Sequence, residues 1–153
     1  MGATLNIWED LLQDTTFGLF AIHSQLEDYA LAYALNQACS IKLRRLREDL
    51  ELDRQVNFPL FQYKDEANQR EWTLVRNSGI STGAGPAAGL FPDEPSHRRH
   101  YLIPEKKEVD YFLKLDGEDG EQKLVARLLS VEKIITAYRL EASELKSKQN
   151  LIF

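Results

Sequence analysis

Residues 109–140 confine the chain to few folds. Val109, Tyr111, Leu113 and Leu115 face one way while Asp110, Lys114 and Asp116 face the other, the period-two pattern of a half-buried strand. Asp116-Gly117-Glu118-Asp119-Gly120 is a turn. Leu124, Val125, Leu128 and Leu129 then mark the stripe of a short helix, and Ile134, Thr136, Tyr138 and Leu140 mark a final strand. Strand, helix and strand in succession read as a β-α-β unit.

The first half of the chain has a comparable order. Leu5, Trp8, Leu11 and Leu12 have helical spacing, so residues 5–13 suit a short leading helix. Phe17 to His23 has the length and apolar character of a strand. Ser24 and Glu27 form a capping-box pattern, and Leu26, Tyr29, Ala30, Tyr33 and Ala34 form an apolar stripe, so a helix is expected from about Gln25 to Cys39. Residues 41–52 fit strand and helix equally well. Phe58–Tyr63 and Trp72–Arg76 read as the arms of a hairpin joined by the polar Lys64–Arg70, with Pro59 marking an edge or a strand start. Two such halves suggest an α+β fold: an antiparallel-rich sheet of about five strands, two main helices on one face, in a ferredoxin-like split β-α-β arrangement. The opposite sheet face then needs cover, from the 78–97 loop, the C-terminal tail or a second copy.

The 153 residues suit a single domain spanning 1–153. Within it, Ser78 to His97 holds four of the eight glycines and three of the five prolines, so a flexible inserted loop is expected over 78–97. The formal charge of −5 argues against a dedicated nucleic-acid binder and against attraction to an anionic membrane. The lone Cys39 precludes an intrachain disulfide and fits a reducing compartment. No stretch approaches the ~20 apolar residues that span a bilayer. Met1–Asp10 lacks the pattern of a secretory signal, and Asn6 stands where a myristoylation signal needs Ser or Thr. A cytoplasmic protein without a membrane anchor is expected.

Several clusters invite a chemical reading. His97-Arg98-Arg99-His100 offers two imidazoles, but a zinc site would need further ligands such as Glu105 or Asp110, and a solvated basic turn is the plainer reading. Gly83-Ala84-Gly85-Pro86-Ala87-Ala88-Gly89 departs from both phosphate-loop spacings, and Pro86 removes an amide that a phosphate would use. Lys42, Arg44, Arg45 and Arg47 are followed at once by Glu48, Asp49, Glu51 and Asp53, which neutralise them. Phe58, Phe61, Tyr63 and Trp72 could stack bases but are more often core. Cys39 ends an apolar helix face, so it reads as core rather than nucleophile. No metal and no cofactor are expected.

One segment is distinctive: Ile103-Pro104-Glu105-Lys106-Lys107-Glu108-Val109-Asp110-Tyr111. It resembles the motif that names the IPExxxDY family of small bacterial proteins. Leu26-Glu27-Asp28-Tyr29 and the ending Leu145–Phe153 extend the resemblance from about Phe17 to the C-terminus. The resemblance implies no established reaction, cofactor or partner. Read physically, Pro104 biases Ile103 towards an extended conformation, and the ring of Tyr111 is to be buried with a partner for its hydroxyl. Pro104, Glu105, Asp110, Tyr111, His97 and His100 are the candidate binding residues.

A non-enzymatic binding or adaptor module is therefore expected, acting on a protein partner or as a homodimer, with a small-molecule ligand as an option. A small hydrolase or transferase would need Glu105, Asp110, His97 and His100 to converge. An RNA binder is the third reading.

Overall fold

The computed structural model describes residues 17–52, 56–81, 100–116 and 121–152. The leading helix expected over 5–13, the turn at 117–120 and the run from Gly83 to Gly89 lie outside them. The described elements are β1 (Phe17–Ser24), α1 (Asp28–Cys39), β2 (Arg44–Arg45), β3 (Leu50–Glu51), β4 (Val56–Phe58), β5 (Leu60–Asp65), β6 (Arg70–Arg76), β7 (Ser78–Ser81), β8 (His100–Tyr101), β9 (Tyr111–Asp116), α2 (Glu121–Ser130) and β10 (Ile134–Leu140).

The fold is α+β, with the two helices packed against antiparallel sheets. A six-stranded sheet runs β10-β1-β9-β6-β5-β2 and a smaller one runs β3-β4-β7-β8. The apolar β1 lies between β9 and β10, with Phe17 opposite Asp116 and Leu19 opposite Leu140. The sequence suggested one sheet of about five strands. The difference lies in the hairpin, whose arms are longer than the alternation showed and run through both sheets. Leu60 pairs with Val75 in the large sheet and Val56 with Ser81 in the small one. Pro59 and Asn77 stand at the crossover, where Pro59 has no N–H to donate to a ladder. Ser78–Ser81, expected as the start of the loop, is thus strand β7. The ambiguous residues 41–52 contribute the two-residue strands β2 and β3.

The large sheet has a core on each face. On the helix face, Phe20, Ile22, Leu74 and Leu113 meet Leu31 and Leu35 of α1 and Leu124 and Leu128 of α2. On the opposite face, Leu19, Ala21, Val75 and Phe112 meet Phe58 of the small sheet, Leu102, Ile103 and the tail residues Leu145 and Leu151. The tail's two short 3-10 turns, Ala142–Glu144 and Lys148–Leu151, lie on either side of Ser147. The cover that the sequence left to the 78–97 stretch, the tail or a second copy therefore comes from β4, the Leu102–Val109 segment and the tail.

Three sequence expectations are corrected by this packing. Strand β9 is buried along both faces, so Lys114 is only 6% exposed rather than solvated. Its ammonium lies 4.8 Å over the ring of Phe17 and 4.0 Å from the Asp116 carboxylate. Burial pushes that ammonium's pKa down, against the opposing pull of Asp116 and Glu71. The first helix starts at Asp28, with Glu27 at its N-cap and no side-chain cap bond, so the Ser24–Glu27 box does not form. Ser24 stays in β1, where its Oγ accepts the Leu26 N–H and donates to the Lys133 carbonyl. The buried face of α1 is Leu31, Ala32, Leu35 and Cys39, while Tyr29 and Tyr33 are 68% and 67% exposed. Two stripes were available, and the one without hydroxyls to satisfy went inside.

Candidate functional site

The corner where the hairpin crosses between sheets is organised by Asn77, which is 1% exposed. Its N–H donates to the Asp110 carbonyl at 2.9 Å and its own carbonyl accepts the Leu102 N–H at 2.7 Å. Its Nδ2 donates to the carbonyls of Lys106 and Val109 at 2.8 and 3.0 Å, and its Oδ1 accepts the Ile103 N–H at 2.9 Å. One side chain thus bonds to three backbone groups of the Ile103–Val109 segment, two of which, the Ile103 N–H and the Val109 carbonyl, burial would otherwise leave unpaired.

The segment that carries the family resemblance is tied down at Glu105, Asp110 and Tyr111. Pro104 opens a 3-10 turn over Pro104–Lys106. Both Glu105 carboxylate oxygens accept bonds from Ser147, one from its N–H at 2.7 Å and one from its Oγ at 2.8 Å. Slight burial acts against the ionised form, but hydrogen bonds from Glu105's own amide, from Ser147 and from Lys146 outweigh it and hold this carboxyl below the ordinary glutamate range. Asp110 accepts the Ser24 N–H at 2.9 Å through Oδ2. The Tyr111 hydroxyl donates to the Leu26 carbonyl at 2.5 Å. Burial pushes that phenol up to about 12, against the lowering effect of Arg76. Asp110 and Tyr111 together fasten the start of β9 to the connection between β1 and α1.

A cleft of about 390 Å3 opens beside this corner. Arg76, Lys107, Asp28 and Asp110 bring two cations and two carboxylates to its walls, with Tyr101 and Ser78 between them. Each cation is backed by an aromatic ring. The Arg76 guanidinium lies 5.8 Å from the Tyr111 ring centre, and the Lys107 ammonium lies 5.8 Å from that of Tyr101. Arg76 also pairs with Glu27 at 3.3 Å, an exposed and therefore weak ion pair. Glycine at 79 is required by packing, because a Cβ there would lie 2.4 Å from Val56 and 2.7 Å from the Phe58 ring. A second hollow of about 540 Å3 shares Tyr101 and Lys107 and includes His100 and Pro104.

The candidate residues are therefore divided. Asp110 faces the cleft, His100 and Pro104 the neighbouring hollow, and Glu105 the tail. His97 lies outside the described residues. Arg76, Lys107, Tyr101 and Asn77 were missed by sequence reasoning. The only sequence signal at Asn77 is an asparagine ending an apolar run before Ser78-Gly79, which marks a turn rather than a hub.

Other candidates have structural surroundings. Cys39 is buried, and that burial raises its thiol pKa, opposed by Arg127, so the thiolate is disfavoured. His23 Nε2 lies 3.0 Å from the Tyr138 hydroxyl. Phe58, Phe61 and Trp72 are buried in the two cores and present no stacking platform. Arg45 of the basic run pairs with Asp49 at 2.8 Å. Among the described residues, no three His, Cys, Asp or Glu side chains group as a metal site would require. Among the same residues, no helix is long and apolar enough to cross a membrane.

No known family model matches the chain, and none of the curated proteins compared with it is detectably similar in sequence.

Proposed function

We propose that the chain is a non-enzymatic binding module whose site is the cleft beside Asn77. The observation that carries this reading is the meeting of Arg76 and Lys107, each backed by an aromatic ring, with Asp28 and Asp110 on one cleft of about 390 Å3. That volume is within the range of small-ligand pockets, near its lower end. The corner is also held in place before any ligand arrives, since Asn77, Asp110 and Tyr111 each bond to backbone across it. A preorganised site loses less ordering entropy on binding.

A hydrolase or transferase built on Glu105, Asp110 and the two histidines has less support. Glu105 spends both oxygens on Ser147, and Asp110 and His100 face different hollows. Cover from β4, the Leu102–Val109 segment and the tail also leaves less open sheet face to motivate a homodimer. The order β10-β1-β9-β6, with α1 leading from β1 towards β6 and α2 from β9 to β10, supports reading the centre as a ferredoxin-like split β-α-β unit with β5 and β2 added at one edge. Membership of the IPExxxDY family and a cytoplasmic location belong to the same proposal. The motif supports the first and the lone Cys39 fits the second.

Native mass spectrometry of the chain purified gently from its own host tests the reading. A reproducible adduct that disappears in Lys107→Met supports it. A bare chain, or an adduct indifferent to Lys107 and Arg76, overturns this site.

A further inference from the structure

The cleft carries two charges of each sign, and the opposite charges do not cancel one another inside it. Lys107 is exposed, and among the described residues its ammonium meets only the face of Tyr101. Arg76 uses one nitrogen on Glu27, leaving most of its N–H donors uncommitted. Asp110 engages one carboxylate oxygen with Ser24, and Asp28 engages one with the Tyr29 N–H at 2.7 Å. Each carboxylate keeps a second oxygen able to accept a donor.

The walls are mixed as well. Arg76 comes from the end of β6 and Asp28 from the first turn of α1, while Lys107 and Asp110 come from the segment between the 3-10 turn and β9. A simple anion entering here would be drawn to the cations and repelled by two carboxylates. A simple cation would meet the reverse. A ligand carrying one charge of each sign can satisfy both kinds of wall, and a like-charge clash of this sort is how a site rejects the wrong partner.

We propose that the cleft binds a small zwitterion of the amino-acid or dipeptide class, with its carboxylate towards Lys107 and Arg76 and its ammonium towards Asp110 and Asp28. This rests on the binding-module reading and narrows its ligand. The volume suits a molecule of that size, and the ring of Tyr101 gives the ligand's carbon skeleton an apolar surface to lie on.

Isothermal titration of the full chain tests it, using the twenty common amino acids and glycylglycine as zwitterions, succinate and phosphate as anions, and putrescine as a cation. At least one zwitterion should bind 10-fold or more tightly than any of the other three probes. Lys107→Met should weaken that zwitterion at least 10-fold with little shift in melting temperature, because Lys107 is exposed and its approach to the Tyr101 ring is a long 5.8 Å. Asp110→Asn should weaken it as well, and Asp28→Asn provides a second acidic variant that leaves the Ser24 contact intact. Tighter binding of succinate or phosphate than of every zwitterion overturns the ligand class while leaving the cleft as a binding site. Binding of a zwitterion that is unchanged in Lys107→Met overturns the site. No binding by any probe at 10 mM overturns the proposal, and the mass-spectrometric adduct then decides separately whether the binding-module reading stands.

Discussion

The two faces of the large sheet are held by different physics. The helix face is closed by two regular elements whose leucines meet Phe20, Ile22, Leu74 and Leu113. Its strength is spread over many apolar contacts, each worth a little. The opposite face is closed by short pieces: two- to four-residue strands, a 3-10 turn and a tail. Such pieces cannot satisfy their own backbone groups, so single side chains do it for them. Asn77 holds Ile103, Lys106 and Val109, Glu105 holds Ser147, and the Asn150 amide holds the Leu102 carbonyl at 2.8 Å. A face built from regular elements tolerates local damage; a face built from fragments depends on a few polar residues. The cleft lies where the fragments meet, which is where a fold can vary a site without disturbing its helices.

The strongest challenge to this contrast is Asn77→Ala. It leaves two buried backbone groups, the Ile103 N–H and the Val109 carbonyl, unpaired at about 1–3 kcal/mol each, so a loss of about 2–5 kcal/mol is expected in urea denaturation. Hydrogen exchange should show the loss first at Ile103 and Leu102, with α1 still protected. Simultaneous opening of α1 would mean that the two faces are one cooperative unit.

Leu35→Ala on the helix face should cost about 2–4 kcal/mol, the usual range for truncating a fully buried leucine. Exchange rates should then rise evenly over both helices. A loss confined to one turn would erase the contrast from the other side.

Gly79→Ala drives a methyl group into Val56 and Phe58 and should cost about 1–3 kcal/mol by overpacking. Phe58→Leu in the same chain should return part of that loss, because the ring edge is one of the two obstructions, with Val56 the other. A purely conformational role for Gly79 would give no such rescue.

The smallest effect belongs to Glu105. Its carboxyl is held below glutamate's ordinary 4.5, so its contribution is complete above that value and disappears as the pH falls through the lower folded value. Because the group is exposed, the contribution is under about 1 kcal/mol. The difference in melting temperature between the parent and Glu105→Gln should therefore be present at pH 7 and shrink as the pH is lowered below 4.5. A constant difference across that range would assign the tail's attachment to Leu145 and Leu151 alone.

Legibility in the sequence followed the same division. The period-two and helical patterns located β1, β6, β9, β10 and both helices, because regular elements imprint their repeat on the residues. They pointed to the wrong stripe of α1, since Tyr29 and Tyr33 repeat as regularly as Leu31 and Leu35. Nor could alternation foresee the burial of Lys114, which follows from β9 being covered on its second face by distant residues. The Ile103–Tyr111 segment was visible as a motif, but its partners Asn77, Ser147 and Leu26 are remote in sequence. The cleft was hidden for the same reason: Arg76 and Lys107 are separated by thirty residues of chain and meet only through the bent hairpin.

The placement of β1 between β9 and β10 has a consequence for the timing of synthesis. Phe17 meets Asp116 and Leu19 meets Leu140, so the central strand leaves the ribosome long before either neighbour exists. At the usual elongation rate of about 5–20 residues per second, this apolar segment waits roughly 5–20 s for its first partner. During that interval α1 can cover only one of its faces, and both of its edges are open to other chains. Folding yield should therefore depend on chaperone supply and translation speed more steeply than the finished protein's stability would suggest.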